Sequence, residues 1–155
     1  MKLYTRTMGV LGLLLLAVSS MANAQVSGKT GTLTLYGSKG ESDTNTCQIP
    51  MNNGSVAMGK QFNCKNDTYY HFKISLGQPG TIITFHDSPR CNASEPSYRY
   101  LITGSWGDDL NMTALQPLAH DGSTHRLVQS HLETFGPPKK GRLHGKLSCV
   151  TFSQY

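Results

Sequence analysis

Tyr70-His71-Phe72-Lys73-Ile74-Ser75-Leu76-Gly77-Gln78-Pro79-Gly80-Thr81-Ile82-Ile83-Thr84-Phe85 is the stretch that decides the fold. Its first seven residues alternate with the two-residue period of a half-buried strand, and Gly77-Gln78-Pro79-Gly80 supplies turn chemistry. Thr81 to Phe85 then forms a second run, β-branched and broadly alternating. Outward from this centre the same pattern recurs at residues 32–36 (TLTLY), 98–102 (YRYLI) and 143–152 (LHGKLSCVTF). Turn-rich segments separate these runs: GSKGESD, NNGS, DSPRCN, GSWGDD, HDGS and FGPPKKG. Short strands punctuated in this way predict an all-β, antiparallel Greek-key sandwich. Only residues 111–118 and 125–134 read as helical, and Pro117 breaks the first, so at most one short helix is expected.

The chain begins MKLYTRTMGVLGLLLLAVSSMANAQ. Lys2 and Arg6 precede a leucine-rich stretch, and Ala22-Asn23-Ala24 offers the small-x-small pattern of a cleavage site. The apolar run falls short of the roughly 20 residues that span a bilayer. Residues 1–24 therefore read as an export signal and residues 25–155 as one domain, secreted or periplasmic, with no membrane span after processing. Removal of Lys2 and Arg6 lowers the formal charge from +5 to +3, an ordinary value that gives no case for nucleic acid. Cys47, Cys64, Cys91 and Cys149 all lie beyond the signal, and an even cysteine count in an exported chain reads as two disulfides. Of three connectivities, Cys47–Cys64 and Cys91–Cys149 are favoured: the first closes a short polar loop, the second ties the last strand to the middle of the chain. A four-thiolate zinc site is the rival, but no CxxC pair is present.

Gly31-Thr32-Leu33-Thr34-Leu35-Tyr36 and Gly80-Thr81-Ile82-Ile83-Thr84-Phe85 are similar segments 49 residues apart, each ending on an aromatic followed by a turn and a cysteine. With Cys64-Lys65-Asn66-Asp67 leading into the next strand, this duplication resembles the βγ-crystallin-like superfamily, whose domains pair two Greek-key motifs. The resemblance covers residues 31–102. Where the family places a phenylalanine and a glycine after the aromatic, this chain has Glu41 and Asp43, then Arg90 and Asn92. The resemblance implies a calcium site begun by Asn66 and Asp67, with its completing ligand at Tyr70. The alternative is that Asn66 and Asp67 cap a turn.

Other constellations are sparse. His120, His125 and His131 lie close in sequence and are candidate zinc ligands, although spacings of five and six residues match no ligand template. His71 and His144, both placed in outward-facing strand positions, would suit acid–base catalysis if they met. No G-x-S-x-G elbow is present, and the three glutamates, Glu41, Glu95 and Glu133, lie near loop signals. Tyr98 and Tyr100 share one strand face and, with Trp106, could form an aromatic ledge for a sugar or a partner protein. Lys139, Lys140 and Arg142 give the following loop a basic character suited to acidic surfaces.

The expectation from sequence is a non-enzymatic binding protein that acts on a partner protein or surface glycan, as an inhibitor or a secreted virulence-related factor. Metal binding (Zn or Ca) is the alternative and a small histidine-dependent hydrolase the third reading. No cofactor is expected unless one of those metals binds.

Overall fold

The computed structural model describes residues 30–38, 42–92, 96–104, 113–115, 125–136, 141 and 143–155, apart from the side chains at 125 and 126. Ten strands lie among them: β1 (Thr32–Tyr36), β2 (Thr46–Pro50), β3 (Gly54–Ala57), β4 (His71–Ser75), β5 (Thr81–His86), β6 (Ser97–Ile102), β7 (Thr113–Ala114), β8 (His125–Gln129), β9 (Leu132–Phe135) and β10 (Cys149–Gln154). They form a four-stranded sheet, β2-β1-β4-β7, and a six-stranded sheet, β3-β10-β5-β6-β9-β8. Every pairing is antiparallel. No α-helix occurs among the described residues, and none there is long and apolar enough to cross a membrane. The chain is an all-β sandwich.

Alternation explains how the sheets pack. In β4, Phe72 and Ile74 are buried while His71, Lys73 and Ser75 are half-buried on the other face. In β6, Tyr98, Tyr100 and Ile102 point inward, with Arg99 exposed between the tyrosines. The two inner faces meet at Phe72, whose ring centre lies 4.8 Å from that of Phe85 and 5.2 Å from that of Tyr100. Leu33, Leu35, Ile49, Ile83 and Leu132 complete a continuous apolar interior. Such offset and tilted ring pairs add to the area-proportional gain from burying them.

The two segments that prompted the idea of duplication become β1 and β5, one in each sheet. Each sits between two antiparallel neighbours: β2 and β4 for the first, β10 and β6 for the second. Both disulfides form as the spacing suggested. Cys47–Cys64 ties β2 to the loop before β4, and Cys91–Cys149 joins the β5–β6 connection to β10. No free cysteine remains, and two disulfides point to an oxidising, extracytoplasmic environment.

Three sequence expectations are corrected. Residues 125–134 are a hairpin rather than a helix: β8 and β9 pair, with His131 in the left-handed turn at φ 61°. Pairing of β9 with β6 satisfies its backbone and buries Leu132 against Ile102, and this tertiary gain outweighs local preference. In 111–118, Thr113 and Ala114 form β7 beside β4 and Leu115 is buried in the core; residues 111, 112 and 116–118 lie outside those described. The last strand is shorter than the alternation over 143–152 suggested. Residues 144–146 form a turn, fixed by Gly145 at φ 64° and by its N–H bond to Tyr69 O at 3.0 Å, so β10 begins only at Cys149.

Candidate functional site

Two surfaces bring chemistry-bearing side chains together. The first is the outer face of the six-stranded sheet. Register places Ser153, Ile82, Leu101, Glu133 and Leu127 in one row across β10, β5, β6, β9 and β8. A neighbouring row runs Thr151, Thr84, Arg99. Leu127 is 62 % exposed and Tyr155 83 % exposed. The Arg99 guanidinium stands 5.4 Å from the centre of the Phe135 ring, and Phe135 meets Tyr155 edge-on at 5.5 Å. A cation over one aromatic and a second aromatic at its edge make a preformed, partly apolar patch. Aromatics and arginine are the residues enriched at the centres of protein interfaces.

The second surface lies where β4 begins. His71, opposite Tyr36 of β1, faces outward from the four-stranded sheet. The turn at 144–146 carries His144 to it from the other sheet's side, leaving the imidazole centres 6.3 Å apart. Tyr70 packs on His144 at 5.4 Å, and its hydroxyl lies so close to Gly145 that a β-carbon there would come within 2.7 Å. The His71 Nδ1 lies 3.4 Å from the Gly37 carbonyl. A carbonyl can only accept, so this contact favours the tautomer with the proton on Nδ1 and a lone pair on Nε2. Two neighbouring imidazoles of this kind can exchange protons or share an electrophile. His71 and His144 thus meet in space, although His144 sits in a turn and not in the strand position assigned to it.

The remaining predicted residues fall differently. Tyr98 and Tyr100 are 3 % and 2 % exposed and belong to the core, so they form no surface ledge. Tyr98 donates its hydroxyl hydrogen to the Gly141 carbonyl, and Tyr100 packs on Phe72 and Phe85. Burial, with Tyr98 beside it, pushes the Tyr100 phenol above its ordinary range, and burial does the same to Tyr98. Both stay protonated. Trp106, Lys139, Lys140, Arg142 and His120 lie outside the described residues, as does the side chain of His125 in β8. His131 is exposed at the β8–β9 turn, with its ring against Gly104.

Asn66 and Asp67 adopt the turn-capping arrangement. Asn66 Nδ2 donates to Asp67 Oδ2 at 2.7 Å, the Thr68 hydroxyl donates to Asn66 O at 2.9 Å, and Asp67 holds φ 52°. Ser148 Oγ donates to Asp67 Oδ1 at 3.4 Å, which ties this turn to the approach to β10. Among the described residues no three histidine, cysteine, aspartate or glutamate side chains gather as a metal cluster.

Arg99, Leu127, Phe135 and Tyr155 escaped the reading of the sequence. Alternation shows that Tyr98 and Tyr100 share a face and that Arg99 lies on the other, but parity alone does not say which face meets the core. The signal was the arginine itself, which does not go unpaired into a core. No family model, no curated protein and no solved structure matches this chain.

Proposed function

We propose that this chain is a periplasmic or secreted, non-enzymatic binding protein that recognises a partner protein through the outer face of its six-stranded sheet. The observation that carries the reading is the Arg99–Phe135–Tyr155 stack on a face that also exposes Leu127. An aromatic pair held in place by a guanidinium loses little side-chain freedom on binding, so more of its contact energy appears as affinity. An arginine beside a row that carries Ile82, Leu101 and Leu127 together with Ser153 and Glu133 suits a mixed apolar and polar partner surface. An inhibitor or a secreted interaction factor is the form that such a role takes.

The test uses the mature, disulfide-bonded protein as bait, beside a Leu127→Asp/Arg99→Glu double variant. Both positions point to solvent, so thermal stability should change little. The reading expects a specific partner retained by the parent and lost by the variant. Equal retention by both removes this face from the account, and binding to a glycan array alone replaces the protein partner with a sugar.

The meeting of His71 and His144 favours a second reading, a small hydrolase with His71 Nε2 as general base and His144 as the acid. Its test is hydrolysis of phosphodiester and ester substrates by the parent and by a His71→Ala/His144→Ala variant. Activity that survives the double substitution rejects it.

A further inference from the structure

We propose that His71 and His144 form a two-imidazole site for a divalent transition-metal ion, of the Zn2+ or Cu2+ class. Two imidazoles on one metal, each with a metal–nitrogen bond of about 2 Å, hold their ring centres about 5–6 Å apart. The two rings here stand 6.3 Å apart with planes at 43°, and a small side-chain rotation closes the difference. A second, independent observation supports the assignment. Histidine ligands characteristically give their other N–H to a backbone carbonyl or carboxylate, which fixes the tautomer and aims the free lone pair. His71 has that partner in the Gly37 carbonyl, 3.4 Å from Nδ1, leaving Nε2 as the ligand atom.

The backbone brings the pair together from β4 and from the turn that precedes β10. His71 is anchored by β4, and the 144–146 turn is held against the start of that strand by the Gly145 N–H to Tyr69 O bond. Tyr70 walls the far side of His144. Imidazole suits zinc, copper and nickel over calcium and magnesium, and Cu2+ binds a given nitrogen site more tightly than Zn2+. With two protein ligands the remaining coordination positions belong to water, so the ion is exchangeable and does not hold the fold together. The site is distinct from the proposed zinc ligands His120, His125 and His131, and from the proposed calcium ligands Asn66 and Asp67.

The test is calorimetric titration of the mature, oxidised protein with ZnCl2 alone, repeated on His71→Ala, His144→Ala and His131→Ala. The proposal expects one bound equivalent, weakened by about tenfold or more in each of the first two variants, and unchanged in His131→Ala. No binding to the parent overturns it, as does affinity kept in both His71→Ala and His144→Ala or lost in His131→Ala. A second readout covers the case of a variant that fails to fold. Substoichiometric Cu2+ added to the parent should broaden the ring resonances of His71 and His144 before those of other histidines. Broadening that starts at another histidine overturns the assignment.

Discussion

Burial pushes the His86 imidazole below its ordinary pKa near 6.5, an effect that the backbone of Asn92 offsets only in part. His86 is 4 % exposed at the end of β5, with Nε2 3.2 Å from the Thr151 hydroxyl. As pH falls, the unfolded chain takes up this proton before the folded one does. Its stabilising contribution is therefore complete above about pH 6.5 and is lost as pH falls through the lower folded value. Melting temperature should drop between about pH 7 and pH 5 in the parent. The drop should be smaller in His86→Gln, which keeps a hydrogen-bonding side chain without the titration. Equal slopes in thermal melts of the two proteins would show that His86 is not the group responsible. Phe72 tests the interior at the same scale. It is fully buried between Phe85 and Tyr100, and Phe72→Ala should cost about 3–5 kcal/mol in denaturant titration. A cost under about 1 kcal/mol would mean that the sheets do not meet there.

At the scale of elements, the central strands around which the core is built were the legible ones. β1, β4, β5 and β6 all show period two with apolar residues on one face, and each lies where that pattern placed it. β2, β3 and β9 were not legible because their order comes from neighbours. Thr46–Pro50 has a polar sequence around Cys47 and Ile49, and it is a strand because β1 pairs with it. Gly54 and Ser55 look like turn residues yet pair with β10. The histidine pair was half legible. Period two gave the outward position of His71, but nothing local to His144 shows that Gly145 turns the chain back towards Tyr69. The two disulfides were readable from cysteine count and spacing, and they differ in the loops that they close. In the chain-entropy model the 58-residue span of Cys91–Cys149 contributes about 4 kcal/mol, and the 17-residue span of Cys47–Cys64 about 3 kcal/mol. Paired Cys→Ala substitutions should therefore destabilise more at Cys91/Cys149 than at Cys47/Cys64, by urea denaturation. The reverse order would show that native packing around Cys47, not loop closure, sets the cost.

For the molecule as a whole, the two sheets have unlike outer faces. Register puts Gln48, Thr34 and Lys73 in one polar row across the middle of the four-stranded sheet, with Thr34 itself buried between exposed Gln48 and half-buried Lys73. The six-stranded sheet turns out Arg99, Phe135, Leu127 and Tyr155. This asymmetry is why one face, and not the protein's modest net charge, carries the proposed recognition. The most direct measurement places a photo-activated cross-linking amino acid at Leu127 and, in a separate protein, at Lys73, in cells that produce the disulfide-bonded protein. The account predicts a discrete adduct with a second protein from position 127 and none from position 73. Adducts of equal yield from both positions, or from position 73 alone, would contradict it.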